Sequence, residues 1–413
     1  MKKIIHLVSH FPSKSETFII NQIITSIEEG FTAKILATKI VDFETSSQPK
    51  LLNKYNLFDT AESLELNIPT NKFFRIFKAI LLLITNIKDY KVFFRSLNNK
   101  RFKEKATSLK LWYQASLFLK FKDVAIFHAH FGFNGITLCD LKEIGAIKSN
   151  VLVSFYGYDT FSTLDTRESL KLSYQTIFKN AKYIITNSNY LFKNLTLLEV
   201  PKKKVIVNYV GVNQEIFKYK ERVEKNVFNI ITVGRLIELK GHLYGLKLIK
   251  ELKDKNINVH YLVVGDGLQM KKLQQISKNL QISKNVTFYG SKNQQEILDL
   301  LYKSDLFLMT SITDNTGRAE GQGLVTAEAQ ATGLPVVGFN SGGVAETIHD
   351  DKTGFVIEEK NIDLMTEKVK LLIENFKIRR EFGENAKIFV NRKFNNKKQA
   401  LKITEVYKNI ISQ

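Results

Sequence analysis

The chain of 413 residues is 44% hydrophobic and 25% charged, a globular composition long enough for two or three domains. Five prolines and 21 glycines leave no room for long disordered linkers, and a single cysteine, Cys139, excludes an intrachain disulfide and fits a reducing cytoplasm. The formal net charge of +20 asks for a polyanionic partner: nucleic acid, an anionic membrane face or a phosphorylated substrate.

The apolar part of the opening stretch MKKIIHLVSHFPSKSE is too short and interrupted for a signal peptide. The longest strongly apolar run, AILLLI at 79–84, is far below the roughly 18 residues that span a bilayer, so no spanning helix is expected. In chain order, KIIHLVSHF reads as a buried strand, TFIINQIITSIEEG as an amphipathic helix stopped at Gly30, and TAKILAT as a second strand. A long helical, basic stretch follows. Strands at VAIFHAHF, NVLVSFYG, KYIITNS and KKVIVNYVG then alternate with helices at GITLCDLKEIG, SLKLSYQTIFKNA and NYLFKNLTLLEV. The pattern restarts with VFNIITVGRL and runs through VHYLVVGDG, NVTFYG, DLFLMTS, PVVGFNSGG and GFVIE, with helices between, before closing helices from about 362. Short apolar strands alternating with helices predict parallel sheets covered on both faces. Two such series predict two doubly wound α/β domains, 1–210 and 227–395, joined by a linker at 211–226. In such sheets ligands bind at the carboxyl ends of the strands.

From Lys72 to Lys122 there are thirteen Lys and Arg against two acids, Asp89 and Glu104. Phe73, Phe74, Phe77, Phe93, Phe94, Phe102, Trp112, Tyr113, Phe118 and Phe121 are mixed among them. That mixture predicts a surface for anionic lipid; the alternative is a set of ordinary helices with a solvated lysine face. No nucleic-acid recognition module is present, so nucleic acid is not expected as the partner.

The polar motifs fall at strand ends. In TVGRLIELKG, Gly234 permits a tight turn, and Arg235 and Lys240 place a guanidinium and an ammonium where a diphosphate could lie. VVGDG lacks the third glycine of a dinucleotide fingerprint, since that position is Met270, and reads as a tight turn. FHAHFG puts His128 and His130 on one face of a strand end; one histidine facing a cleft is the simpler reading, with a metal pair as the alternative. No D-x-D pair offers a seat for a divalent ion on phosphates. RAEGQGLVTAEAQATGLPVV holds Glu320 and Glu328 around a glycine turn that opens a helix. Backbone amides at Gly323, Leu324 and Val325 could donate to a phosphate there, Glu328 could accept from ribose hydroxyls, and Glu320 from a sugar hydroxyl. Helix capping is the alternative for both acids.

Taken together these motifs resemble the large GT-B class of retaining glycosyltransferases, family four of the sequence-based classification. Its E-x7-E motif matches Glu320 and Glu328, its GR…K motif Arg235 and Lys240, its H-x-H strand end His130, and its interdomain motif VGVNQEIF. FPSKSETFIINQI is similar to a narrower subgroup resembling colanic-acid-type exopolysaccharide enzymes. The chain departs from the family in replacing a glycine-rich first loop by PSKSE, in Asn213 for the linker aspartate, and in the longer loop ITDNTGRAEGQ.

The resemblance implies two Rossmann-like domains facing across a cleft, an acceptor-binding one at 1–210 and a donor-binding one at 227–395, with a closing helix at 396–413 returning toward the first. It implies sugar transfer with retention, from a UDP- or GDP-linked donor to a glycan or polyprenyl-diphosphate-linked acceptor. No metal or other cofactor is implied, and the protein is expected at the cytoplasmic face of a membrane. Catalytic roles fall to His130, Glu320, Arg235 and Lys240. The donor contacts are Gly234, Arg235, Lys240, Gly265, Gly290, Glu320, Gly323, Leu324, Val325 and Glu328, and Glu16, Tyr156 and Asp159 lie on the acceptor side. Two rival functions stand beside this one: a nucleotide-sugar epimerase of the same architecture, and a polyanion-binding protein without activity.

Overall fold

A computed structural model describes residues 2–412 except 14, 15, 43–45, 47, 162, 163 and 225. Two sheets, parallel throughout, carry the chain. The first contains β1 (Lys3–Phe11), β2 (Thr32–Ile40), β3 (Ala61–Ser63), β4 (Ile126–His130), β5 (Asn150–Phe155), β6 (Tyr183–Thr186) and β7 (Val205–Val207) in the order β3-β2-β1-β4-β5-β6-β7. The second contains β8 (Phe228–Val233), β9 (Val259–Val264), β10 (Val286–Gly290), β11 (Leu306–Met309), β12 (Val336–Phe339) and β13 (Gly354–Ile357) in the order β10-β9-β8-β11-β12-β13. Chain order reverses beside β1 and beside β8, which creates the crevices where such sheets bind ligands. This is the two-domain GT-B architecture. The edge strand β3 lies inside the stretch expected to be helical; three residues are too few to show a period.

Alternation along β1 divides the first core. Ile5 and Leu7 join Phe127, Ala129, Val151 and Val153 on one face. Ile4 and Val8 lie on the other, against the Thr17–Glu28 helix and the C-terminal helix. The basic stretch packs on the first face as helices Lys72–Thr85, Tyr90–Ser96, Asn99–Phe102, Glu104–Thr107 and Lys110–Phe118. Half of its aromatic residues are therefore not surface: Phe93, Phe102, Trp112, Tyr113 and Phe118 are core, and Phe121 is partly buried. Two of its cations are tied inward, Arg101 to Glu143 through bonds of 3.0 and 2.9 Å and Lys105 to Asp140 at 2.5 Å.

The chain crosses between the domains twice, and the crossings touch. Val212 N donates to Phe394 O at 2.6 Å, and Asn396 N donates to Val212 O at 3.1 Å. A Cβ on Gly211 would stand 2.3 Å from Asn396 Cα, so glycine permits the approach. After the second crossing the Asn396–Ile411 helix lies on the first domain, where Ile403, Tyr407 and Ile410 close a cluster with Ile4, Phe31, Ile126, Leu152 and Ile185.

Candidate active site

The strand ends of the second domain are laced together by backbone. Gly234 N donates to Val264 O and Gly265 N to Gly290 O, each at 2.9 Å. Gly265 has φ 137°, and a Cβ there would come within 2.0 Å of Gly234 O, so the two turns can meet only through glycine. Over this floor runs Lys240, whose Cδ would stand 3.6 Å from a Cβ on Gly234. Its ammonium donates to the Glu320 carboxylate, and both side chains are mostly withdrawn from solvent. Burial pushes Glu320 upward, but the Lys240 ammonium and the amides of Gly323 and Gly321 outweigh it and hold the carboxyl below its usual range. Arg235 lies exposed beside them, and its guanidinium makes no hydrogen bond or ion pair among the described residues.

Gly323, at φ 80°, opens the Leu324–Ala331 helix. No side chain caps that helix and no acid lies in its first turn, so capping does not account for Glu328. Glu328 has no hydrogen-bond or charge partner among the described residues. Burial pushes its carboxyl up to about 8, which leaves it mostly protonated at neutral pH. The Glu320 backbone is fixed from the turn after β12, where Gly343 N donates to Glu320 O at 2.8 Å and a Cβ on Gly342 would reach that oxygen at 2.2 Å.

The first domain grips the same loop. Ser188 Oγ donates to Gly321 O at 2.6 Å. The Gln322 amide bonds both Val210 N and Val210 O at 2.8 Å. Glu346 accepts from Asn189 N at 2.9 Å, Tyr190 N at 2.8 Å and the Tyr209 hydroxyl at 2.8 Å. Sequence reading missed Ser188, Gln322, Glu346 and the paired Gly342 and Gly343; the adjacent glycines after β12 were the single local signal.

His130 ends β4 fully buried, its Nδ1 2.8 Å from the Tyr156 hydroxyl and its Nε2 3.1 Å from His6 Nδ1. It does not open onto the crevice. Its link to the second domain runs through Tyr156, whose carbonyl a Cβ on Gly321 would approach to 2.9 Å. His6, His128 and His130 form the one cluster spaced for a metal ion among the described residues. His128 also bonds Tyr407 at 2.5 Å and Ser154 at 2.7 Å, which leaves His6 Nε2 as the single ring nitrogen without a partner. Burial holds all three imidazoles well below their ordinary pKa, so the cluster is a neutral polar layer.

Asp159 is spent on the backbone: it accepts from Gly132 N at 3.0 Å, Tyr156 N at 3.1 Å and Gly157 N at 2.9 Å. It shapes the loops after β4 and β5 and has little left to offer a ligand. Glu16 begins the Thr17–Glu28 helix half-buried, and burial raises its carboxyl against the Ser13 hydrogen bond. Of the adjoining PSKSE loop, residues 14 and 15 lie outside the described residues. Beside Asp159, exposed Tyr158 stacks on exposed Phe133 with centroids 5.9 Å apart. The structure thus brings Gly234, Lys240, Glu320 and Gly323 together, with Arg235 at the mouth and Glu328 one turn deeper.

Residues 213–389 match the family described as glycosyl transferases group 1. The chain is 28% identical over 360 residues to the putative colanic acid biosynthesis glycosyltransferase WcaL of Escherichia coli strain K12, covering 87% of each chain. It is 26% identical over 360 residues to the amylovoran biosynthesis glycosyltransferase AmsK of Erwinia amylovora, covering 86% of this chain and 87% of that one. Its fold superposes on the crystal structure of Anabaena Alr3699/HepE in complex with UDP with a TM-score of 0.74, at 17% identity, over 99% of this chain and 100% of the other.

Proposed function

We propose, for a chain whose residues 213–389 match the group 1 glycosyl transferases and whose fold is GT-B, a retaining transfer of sugar from a UDP- or GDP-linked donor to a glycan acceptor. The acceptor is carried on a lipid such as a polyprenyl diphosphate, and the protein works at the cytoplasmic face of the membrane. The names of the two relatives support a place in exopolysaccharide assembly, and the UDP in the Anabaena structure supports a nucleoside diphosphate donor.

The carrying observation is the contact of Lys240 with Glu320, which unites two motifs 80 residues apart at the crevice between β8 and β11. Within the protein the two charges satisfy each other. A donor diphosphate gives Lys240 and Arg235 a stronger partner and frees the Glu320 carboxylate to accept from a sugar hydroxyl. As the sugar–phosphate bond breaks, negative charge grows on the departing oxygen. The two cations and the amides opening the 324–331 helix stabilise it there, which is electrostatic catalysis by preorganised groups. Glu328 fixes the ribose. His130 acts on the transferring sugar by way of the Tyr156 layer, and Tyr158 with Phe133 offers rings against which an acceptor sugar can lie.

No resident metal is needed, because cations and amides already face the diphosphate and the sequence holds no D-x-D pair. Nucleotide release from UDP- and GDP-sugars, measured with and without total membrane lipid, tests the reading. Release that depends on lipid supports it. Conversion of the sugar nucleotide without any acceptor marks an epimerase, and neither event marks a binding protein.

A further inference from the structure

The Lys72–Thr85 helix is built inside out. Asn71 caps it by accepting from Phe73 N at 2.9 Å and Phe74 N at 3.4 Å. Its polar side chains turn toward the domain: Arg75 donates to Pro69 O at 2.8 Å and Thr70 O at 3.1 Å, and Lys78 to Asn67 O at 2.7 Å. Trp112 and Tyr113 clamp the same side through Ala79 O and Arg75 O. Ala79 is the helix's one buried residue.

The outward face is apolar. Phe73, Phe77, Ile80 and Ile84 follow helical spacing along it, flanked by Phe74, Ile76 and Leu81, and all are 46–74% exposed. Ile87 and Phe94, at 59% and 58%, carry the surface beyond the helix. A solvated helix places its charges outside and its apolar stripe inside. Here seven large apolar side chains of one helix face solvent, and contiguous patches of this kind mark interaction sites.

The charges around the patch choose the occupant. Lys72, Lys88, Lys100 and Lys103 are exposed, and their ammonium groups make no hydrogen bond or ion pair among the described residues. Between Ile68 and Lys103 the single acid is Asp89, which faces Lys122 at 4.0 Å. A second copy meeting this face across a two-fold axis would set the same cationic rim against itself. Anionic phosphates over hydrocarbon complement both features.

We propose that this face inserts into the interfacial layer of an anionic bilayer, with Phe73, Phe77, Ile80 and Ile84 among the acyl chains and the flanking lysines at the phosphates. The helix lies flat, since no helix among the described residues is long and apolar enough to cross a membrane. The insertion surface stands on exposure and charge alone; its use in reaching a lipid-linked acceptor rests on the proposed transfer.

The test is co-sedimentation of the full chain with phosphatidylcholine vesicles, with and without phosphatidylglycerol. The wild type is expected to bind the anionic vesicles, less so as salt rises. The quadruple variant F73S/F77S/I80S/I84S is expected to lose at least about tenfold in binding with its melting temperature unchanged, because the replaced side chains are exposed. Replacing Lys72, Lys88, Lys100 and Lys103 by Gln is expected to weaken binding and flatten its salt dependence. Wild type that ignores anionic vesicles, or a quadruple variant that binds as well as wild type, overturns the proposal. So does a wild-type dimer split by the quadruple variant without vesicle binding. Transfer to a soluble glycan acceptor, measured on both proteins, separates the two readings. Vesicle binding without any transfer strikes the proposed reaction alone; transfer without vesicle binding strikes the insertion alone.

Discussion

Lys240 and Glu320, 80 residues apart, meet as a withdrawn ion pair over the glycine floor of the second domain. Neither charge is free within the protein, so each substitution also exposes what its partner does. Glu320→Gln is expected to leave affinity for free nucleoside diphosphate near wild type and to lower turnover. Lys240→Ala removes the counter-charge, so the Glu320 carboxyl rises and nucleotide affinity falls. Titration calorimetry beside steady-state kinetics reads both; weaker nucleotide binding in E320Q would place Glu320 on the diphosphate instead of the sugar.

The Arg235 guanidinium has no partner to lose among the described residues, so its removal reports on the ligand. Arg235→Ala is expected to cost on the order of 10²-fold in turnover, the scale of losing one preorganised donor, with melting temperature unchanged. Near-normal turnover on a working acceptor removes Arg235 from the mechanism.

Glu328 makes a pH prediction of definite sign. Its carboxyl titrates near the ordinary carboxylate range when unfolded and at about 8 when folded. Between those values the folded state binds the extra proton, so this group's contribution to stability falls as pH rises toward 8. Glu328→Gln is expected to flatten that slope and to raise the melting temperature of the empty protein most at the alkaline end. Ribose hydroxyls donating to the carboxylate need it ionised, so nucleotide binding should release a proton below pH 8. The same variant should weaken nucleotide affinity. Calorimetry in buffers of different ionisation enthalpy measures the proton. A stabilised variant with unchanged affinity would leave Glu328 without a part in binding.

Gln322 holds the loop that carries Glu320 to the first domain through both polar groups of Val210. Gln322→Ala leaves a buried donor and acceptor unsatisfied, a loss of about 1–3 kcal/mol each at most, and is expected to lower the melting temperature. Turnover should fall with it, because Glu320 lies two residues away. A lower melting temperature with full turnover would make the grip purely structural.

Chelation gives the fifth site test. Transfer should persist in excess chelator, since the groups proposed to hold the diphosphate are Lys240, Arg235 and backbone amides. Abolition by chelator with rescue by magnesium or manganese would reverse the assignment.

What could be read from the sequence follows from how local each feature is. Gly234 to Lys240 and Glu320 to Glu328 each lie on one strand–turn–helix unit, so residue type and spacing locate them. Ser188, Gln322 and Glu346 work through contacts across 133, 112 and 157 residues, and no short window carries that signal. His130 was legible as a strand-end histidine, but its burial beneath Tyr156 depends on β1, β5 and the last helix together. The basic stretch was legible only as a mixture, because Phe73 and Trp112 are alike in composition, and only packing decides that Arg75 and Lys78 turn inward while the phenyl rings of Phe73 and Phe77 turn out.

The last helix carries a consequence for how the chain is made. Ile4, Ile126, Leu152 and Ile185 have no cover on one face until Ile403, Tyr407 and Ile410 arrive, and His128 has no phenol until Tyr407 does. Synthesis delivers those residues only after the whole second domain. The amino-terminal half therefore waits on the ribosome with an open apolar groove while the second domain, whose strands and helices are contiguous from 228 to 393, can close around itself first. Domain order in translation and domain order in folding run in opposite directions, and a nascent chain stalled before residue 396 should expose its first sheet to chaperones rather than its second.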